Sequence, residues 1–477
     1  MLLKNLLKDV KNITVKGPIN SEITGISSFS KSIKPGELYV ALKGKNFDGR
    51  DFIEEAFKAK ALGVITDIYN PFLDKKFVQI ITKDPLAFGQ ELALKFYKKV
   101  DYLIGVTGTN GKTTSAFCVQ KLLNAIGASC GLVGTCYVDT IQSISQSSLT
   151  TPDGISLSKL IHQSVQSGAK SLVTEVSSHA LAQKRIYGHK FDTVIFTNLT
   201  HDHLDYHQTF EAYGQAKLEL FKKEYLKEKG YAVINLDDPF SKNIIDKTLA
   251  KVLTYSLEDP KADFYLENLQ LSLDGMRGLL HFQGKTYPFE TGLIGKFNAS
   301  NILASVASAW IYHKDIECLI KACQDLKPAP GRLEKISSNI YIDYAHTPDG
   351  LSSVLHALKK LPFKKVRLVF GCGGDRDKEK RPLMGKLAAT LADELIITSD
   401  NPRHEDPNLI IEEIISGIKE KNFIKIIDRK QAIFEACQNL ESDTLLLIAG
   451  KGHEKTQIIG HQTLPFDEVE IVKEILG

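Results

Sequence analysis

The chain has 477 residues, with 60 Lys+Arg against 57 Asp+Glu and a formal charge of +3. An apolar fraction of 43% is enough for several cores, and two to four domains are expected, because one core rarely organises so long a chain. The near-balance of charge and the scatter of the lysines exclude a nucleic-acid footprint, and no uninterrupted apolar run of about 18 residues marks a membrane span.

In chain order, the leucines of residues 1–10 are broken by Lys4, Lys8 and Asp9. That is neither a signal peptide nor a membrane anchor, and a soluble, cytoplasmic protein is expected. A strand is predicted at 37–42, a glycine-rich turn at 44–50, a helix at 51–61 and short strands at 63–66 and 77–81, making a first domain over 1–98. An apolar strand at 102–107 opens the next domain. It runs into a glycine loop and then a helical stretch from Thr113. Further strands at 171–176, 193–198 and 231–235 argue for a largely parallel, doubly wound sheet. Residues 264–288 read as an antiparallel extension turning at Asp274-Gly275. The segment Lys327-Pro328-Ala329-Pro330-Gly331 closes this domain, 99–331. Strands at 366–370, 394–398 and 444–449 with helices between them form a third domain, 332–477, an open sheet whose ligand sites lie beyond its strand ends. The expected fold class is α/β: three domains, with a central P-loop ATPase-type parallel sheet and a C-terminal Rossmann-like sheet. Of seven cysteines, Cys118, Cys130, Cys136, Cys323, Cys372 and Cys437 lie far apart, and no CxxC suggests zinc, so they read as buried thiols.

The sharpest local signal is Gly105-Val106-Thr107-Gly108-Thr109-Asn110-Gly111-Lys112-Thr113-Thr114, between a strand and a helix. Backbone N–H groups and a helix N-terminus cradle phosphate oxygens there, Lys112 adds positive charge and Thr113 a hydroxyl for Mg²⁺. The usual pattern has glycine where Val106 stands, so a bare pattern match misses the loop. A P-loop by itself fits kinases, NTPases and ligases alike.

Glu175 ends the strand at 171–176, and His201, Asp202, His203 and Asp205 follow the strand at 193–198. Both groups stand where a parallel sheet gathers its site. Glu175 suits Mg²⁺; the histidines leave zinc or plain packing open. Lys217, in a helical stretch at 211–221, reads alone as a solvated helix lysine.

Taken together, these segments resemble the Mur ligase family of bacterial peptidoglycan synthesis over essentially the whole chain. The marks are GTNGKTT at 108–114, LTTPDG at 149–154, EVSSHALAQKR at 175–185, NLTHDHLDYH at 198–207, GKFNASN at 295–301, PGR at 330–332, DYAHTP at 343–348, FGCGGDRDKEKRPLM at 370–384, DNPRHEDP at 400–407 and AGKGHE at 449–454. The resemblance implies ATP as co-substrate with Mg²⁺. It places Gly108 to Thr114, Asn298, Asn301, Arg332, Asp343 and His346 at the nucleotide. It places Ser30, Gly44, Lys45, Asn46, Thr150, Thr151, Ser177, Gln183 and Arg185 at a UDP-sugar peptide. Relatives often read Asp-Ser-Arg where this chain has Phe29-Ser30-Lys31, so the flanks of the uridine cradle differ. Glu175 and His203 resemble the residues that place magnesium, with Thr113. Lys217 matches the lysine that relatives carbamylate, which turns an amine into an anionic metal ligand. Lys112, Lys217, His203 and Glu175 are the implied catalytic set.

The stretch Asp400-Asn401-Pro402-Arg403 resembles the form that adds meso-diaminopimelate. That amino acid has a second head, and a guanidinium pairs with its carboxylate through two hydrogen bonds. Arg403 and Arg376 are the candidates for that end, Asp400 and Glu454 for the distal ammonium and Gly450 for a backbone contact; Asn401 and Pro402 complete the loop. Arg376 also fits a solvated charged run at 375–381. The implied reaction joins diaminopimelate to the D-glutamyl carboxylate of UDP-MurNAc-L-Ala-D-Glu through an acyl phosphate, with small-molecule partners only and a monomer expected. The rivals are an L-lysine-adding sister ligase, a folylpolyglutamate synthetase and, in another class, a silent nucleotide-binding scaffold.

Overall fold

The computed structural model describes residues 1–44, 48–147, 149–419, 422–438 and 440–477. The chain divides into two compact units. The first holds Met1–Gly105, Ala128–Asp192 and Lys222–Gly230, and the second Val106–Gly127, Thr193–Phe221 and Tyr231–Gly477. Strands Tyr102–Thr107, Phe191–Phe196 and Leu226–Asn235 therefore start in the first unit and end in the second.

The first unit carries a five-stranded sheet in the order Thr14–Lys16, Val78–Ile81, Gly63–Thr66, Glu37–Val40, Gly25–Ser27. All pairings are parallel except the first. The predicted strands at 37–42, 63–66 and 77–81 are there. Thr14–Lys16 is a three-residue, largely exposed edge, too short for its alternation to stand out. The predicted helix at 51–61 is a 3₁₀ turn, Gly49–Phe52, leading into Ile53–Lys58. In the same unit Ser171–Glu175 pairs in parallel with Cys130–Val133, all nine residues buried. Such continuous apolar runs mark strands covered on both faces.

In the second unit the ends of the three shared strands continue into Lys251–Ser256, Phe264–Ser272, Gly275–Phe282 and Lys285–Thr291. Pairing is parallel up to Phe264–Ser272 and antiparallel beyond it, with the turn at Asp274-Gly275 as expected. A six-stranded sheet follows in the order Glu334–Lys335, Ile340–Asp343, Thr444–Ala449, Lys365–Phe370, Glu394–Ile397, Ile424–Lys425, parallel except at its first edge. Its central strand, TLLLIA at 444–449, is buried throughout. Several helices start on side-chain caps that satisfy early N–H groups, among them Thr209 for Phe210–Leu218, Thr347 for Pro348–Leu358, Asp406 for Pro407–Ile415 and Asp428 for Arg429–Cys437.

This is a three-domain α/β architecture with a P-loop-type sheet and a Rossmann-like sheet. The cysteines are free thiols: Cys118, Cys130, Cys323 and Cys372 are buried, Cys136 and Cys437 partly so, and the seventh, Cys318, is exposed. The expected buried thiols are thus found at four of the seven positions. Among the described residues, no helix is long and apolar enough to cross a membrane.

Candidate active site

The phosphate loop is shaped by its glycines. Gly108 and Gly111 have φ of +154° and +84°, and a Cβ on them would fall 1.8 Å from Thr197 Oγ1 and 2.2 Å from Asn301 Oδ1. No side chain larger than hydrogen fits at either place. Val106, where glycine was expected, is a fully buried strand residue, so the departure falls in the sheet and leaves the loop untouched. The helix Lys112–Ala125 begins without a side-chain cap, which leaves its first N–H groups suited to an anion.

Residues 197–200 hold the loop from beside it. Asn198 O accepts from Thr109 N at 2.8 Å, and Asn198 Oδ1 from Asn110 N at 2.9 Å. Thr197 Oγ1 and Asn198 Nδ2 donate to Asn110 O at 2.6 and 3.1 Å. Asn198 was not singled out from the sequence, where nothing distinguishes a loop asparagine that grips another loop from one that caps a turn.

Lys112 Nζ donates to Gly108 O and Thr109 O at 2.9 and 2.8 Å. Lys217 Nζ donates to the same Gly108 O at 2.7 Å and lies 4.4 Å from the Tyr213 ring centroid. Lys217 is 1% exposed, so the solvated-lysine reading is overturned: the helix Phe210–Leu218 turns this side chain inward against the loop. Burial first, and the charge of Lys112 second, push its pKa well below the ordinary lysine value, with Asp202 pulling weakly back.

Asp202 is the carboxylate among these cations. Burial pushes its pKa up, but His203, His346, Lys380 and Lys112 outweigh that and hold it below the usual range. His203 Nε2 is 3.4 Å from Asp202 Oδ2, and Asp202 Oδ1 accepts from His203 N at 2.9 Å.

Residues of the C-terminal sheet complete the surroundings. Arg332 Nη2 donates to Thr113 Oγ1 at 3.1 Å. Asp343, at the end of Ile340–Asp343, accepts from Leu333 N and Ala345 N at 2.6 and 2.7 Å. Burial raises its pKa to about 6 against the pull of Arg332 and these two bonds. His346 is pushed down by burial and by Lys380, whose Nζ donates to His346 O at 2.9 Å. Asp349 Oδ2 accepts from Asn110 Nδ2 at 2.9 Å and Thr200 Oγ1 at 3.4 Å. One pocket is lined by Asn110, Gly111, Asn301, Arg332, Asp343 and His346. Asn298 is only 2% exposed and gives its amide to Ile294 O at 2.8 Å.

The loop 400–403 stands beside loop 450–454 in the same unit. Asn401 Nδ2 donates to Glu454 Oε2 at 2.8 Å. Gly450 has φ +118°, and a Cβ there would come 2.7 Å from Asp400 Oδ2. Arg403, at φ 51°, follows the buried Pro402 and gives Nη1 to Gly374 O at 2.7 Å. Burial and the charge of Arg376 both lower its pKa, which puts the two arginines within electrostatic reach. Arg376 is exposed, but the run 375–381 is not merely solvated: Arg381 is fully buried and bonded to Glu405, Glu413 and Gly373 O.

In the first unit, Glu175 is 1% exposed and accepts from Thr135 N at 2.6 Å and Thr135 Oγ1 at 3.0 Å; that hydroxyl lies 3.1 Å from Thr150 Oγ1. Thr151 Oγ1 donates to Glu175 O at 2.9 Å and accepts from Ser177 N at 2.9 Å. Arg185 reaches Gln183 Oε1 at 2.8 Å and Thr151 O at 3.4 Å. Glu175, Thr150, Thr151, Ser177, Gln183 and Arg185 are thus one cluster. A second pocket of this unit is lined by Ser27, Phe29, Ser32, Lys34 and Lys159. Ser30 lies between two of its lining residues, and Gly44 is exposed. Lys45 and Asn46 lie outside the described residues.

Among the described residues no group of three or more His, Cys, Asp or Glu could hold a metal by itself. The candidate donors of the second unit are the Thr113 hydroxyl and the His203 imidazole, which leave most of a coordination shell open. They fit a magnesium ion that keeps its waters and shares phosphate oxygens.

Comparison with known proteins agrees along the chain. Residues 22–75 match the Mur ligase family catalytic domain, 106–309 the Mur ligase middle domain and 331–452 the Mur ligase glutamate ligase domain. The UDP-N-acetylmuramoyl-L-alanyl-D-glutamate–2,6-diaminopimelate ligase of Aquifex aeolicus is 42% identical over 467 residues, 96% of this chain and 95% of that protein. Its namesake from Bacillus cereus is 37% identical, covering 100% of this chain and 98% of its own length. A solved structure of a ligase of that name aligns with TM-score 0.68 at 32% identity over 100% of this chain and 98% of its own. MurF of Thermotoga maritima in complex with ADP, at 19% identity and TM-score 0.69 over 94% and 96% of the two chains, shares the fold. The chain belongs to the Mur ligase family, ATP-dependent enzymes that form amide bonds.

Proposed function

We propose that this ligase uses ATP to join meso-diaminopimelate to the D-glutamyl carboxylate of UDP-MurNAc-L-Ala-D-Glu in the cytoplasm, supplying a peptidoglycan precursor. The observation that carries this reading is the loop 400–403. Its Arg403 is partly buried and held in a left-handed turn, and its Asn401 is bonded to Glu454, so a cation and an anion are offered together. A substrate with both an ammonium and a carboxylate at its far end answers both. L-Lysine would leave the arginine without its anion, which is costly in a buried place. The names of the full-length relatives support the same substrate.

A carboxylate is a poor acyl donor because its leaving group is oxide. One glutamyl oxygen attacks the γ-phosphorus of ATP, ADP leaves, and an acyl phosphate forms. Lys112, Arg332 and the first N–H groups of Lys112–Ala125 offset the negative charge that gathers on the transferred group. The diaminopimelate amine then attacks the acyl carbon, loses its proton, and phosphate departs with the C–O bond electrons. Asp343 and His346 line the nucleotide pocket. Water exclusion protects the acyl phosphate.

In the second unit Mg²⁺ would be held by Thr113, His203 and Lys217, the last as a carbamate; in the first unit Glu175 is a separate candidate magnesium ligand. The ion would supply charge neutralisation to the phosphates. Carbamylation needs an unprotonated amine, and the burial of Lys217, which lowers its pKa, supports that reading. We assign domain bounds of 1–98, 99–331 and 332–477. The test is ADP release in the presence of the UDP-sugar dipeptide, with diaminopimelate and L-lysine compared. Release that depends on diaminopimelate supports the reading, and a preference for L-lysine contradicts it.

A further inference from the structure

Lys451 has no place in the reading above, yet it is fully buried. It follows the strand Thr444–Ala449 by two residues. Its Nζ donates to Asn401 Oδ1 and to Glu454 Oε2, both at 3.0 Å. Asn401 Nδ2 closes the triangle on the same Glu454 oxygen at 2.8 Å. Asn401 Oδ1 also accepts from Ile458 N at 3.0 Å, so the amide orientation is fixed from two sides. Glu454 Oε1 is left with a 3.5 Å contact to Tyr344 Oη, and the side chain is 29% exposed.

The floor beneath is rigid. Arg429 and Glu468 form a fully buried ion pair at 2.7 Å. The same guanidinium donates to Ser399 O at 3.2 Å and Ala449 O at 2.8 Å. These carbonyls immediately precede Asp400 and Gly450, so both loops are pinned at their roots. Lys451 therefore cannot leave Glu454 without leaving a buried ammonium short of an acceptor, which is costly.

The consequence is a matter of charge. Within loops 400–403 and 450–454, Asp400, Arg403, Lys451 and Glu454 sum to zero, and Arg376 beside Arg403 adds one positive charge, which suits a far end carrying a carboxylate as well as an ammonium. Without Lys451 the same loops would carry a net negative charge and favour a lone ammonium. We propose that Lys451 is a positioning residue that sets the choice of third substrate: by sharing the charge of Glu454 and fixing Asn401, it weakens the site for an amino acid whose far end is only a cation.

This inference rests on the proposed diaminopimelate ligation. The test is the ratio of kcat/KM for diaminopimelate to that for L-lysine in Lys451→Met, which keeps the length and removes the charge. The ratio is expected to fall about tenfold, the effect of one charged hydrogen-bonded partner, with KM for ATP unchanged. In a Glu454→Gln background, where Lys451 has no carboxylate charge to share and the loops start one unit more positive, the same substitution should move the ratio less than it does in the wild-type background. If Lys451→Met fails to fold, Lys451→Gln keeps a donor for Asn401 and gives the same reading. A ratio that stays within twofold of wild type, no gain in L-lysine use, or an equal shift in both backgrounds overturns the inference. A wild-type enzyme that does not ligate diaminopimelate overturns the proposed function instead, so the two failures are distinct.

Discussion

Around the phosphate loop, Lys112 and Lys217 bond to backbone carbonyls and Arg332 to a threonine hydroxyl, with Asp202, Asp343 and Asp349 the nearby carboxylates. Around loop 400–403, by contrast, Lys451 meets Glu454, Arg429 meets Glu468 and Arg381 meets Glu405 and Glu413. The two regions lie in one unit but manage charge differently. The first sets Lys112 and Arg332 on uncharged oxygens and suits a polyanion, which brings its own negative charge when it binds. The second balances its cations with carboxylates and suits a ligand with no net charge at its far end. The acids report the same contrast: Asp343 is raised to about 6 by burial, whereas Glu405 is held down at about 2 chiefly by its hydrogen bonds from Arg381.

Five outcomes would sharpen or break this contrast. The largest is expected for Lys112→Ala, which removes one of these cations: ADP formation should fall about a thousandfold, and full ligation by this variant would contradict the polyanion side. Lys217→Met should cost about a hundredfold in ADP release. In wild type, ¹³C-bicarbonate should give a carbamate signal by NMR that the variant lacks. Arg403→Lys should raise KM for diaminopimelate about tenfold while leaving KM for ATP alone, since a lysine cannot pair two carboxylate oxygens side by side. Asp349→Ala removes the acceptor for Asn110 Nδ2 and Thr200 Oγ1 and should raise KM for ATP about fivefold, with diaminopimelate unaffected.

The fifth outcome is in stability rather than in rate, and it has opposite signs on the two sides. Asp343 has a folded pKa above its unfolded value of 3.8, so the folded state holds the proton more tightly. Its contribution falls as pH rises from about 4 to about 6 and is constant beyond, at up to about 1.4 kcal/mol per pH unit. Glu405 has a folded pKa below 4.5, so its contribution is complete above that value and is lost as pH falls toward about 2. Denaturant titrations of Asp343→Asn and Glu405→Gln across pH 2 to 7 should each remove one of these opposing slopes. The same sign for both would end the contrast.

The nucleotide side was the more legible in sequence. A strand, two glycines and Lys112 signal a phosphate loop because each acts on the backbone next to it, and the structure has that loop where expected. What stayed hidden came from residues far apart in the chain. Lys217 looks like a solvated helix residue until Gly108, 109 positions earlier, meets its Nζ. Arg381 looks like part of a charged loop until Glu405 and Glu413 enclose it. Lys451 stands inside the AGKGHE mark, but its burial, like that of Arg429, depends on partners that no local pattern reveals. Asn198 is silent for the same reason. In the fold, strands of fully buried apolar residues such as 444–449 were found with their ends nearly right, while the exposed three-residue edge Thr14–Lys16 was not.

The central claim is that phosphate is carried by the substrate acid before the amide forms. UDP-MurNAc-L-Ala-D-Glu labelled with ¹⁸O in the reacting carboxylate, turned over with ATP and diaminopimelate, tests it directly. One labelled oxygen should appear in inorganic phosphate for each amide made. Amide formation with unlabelled phosphate would contradict the account.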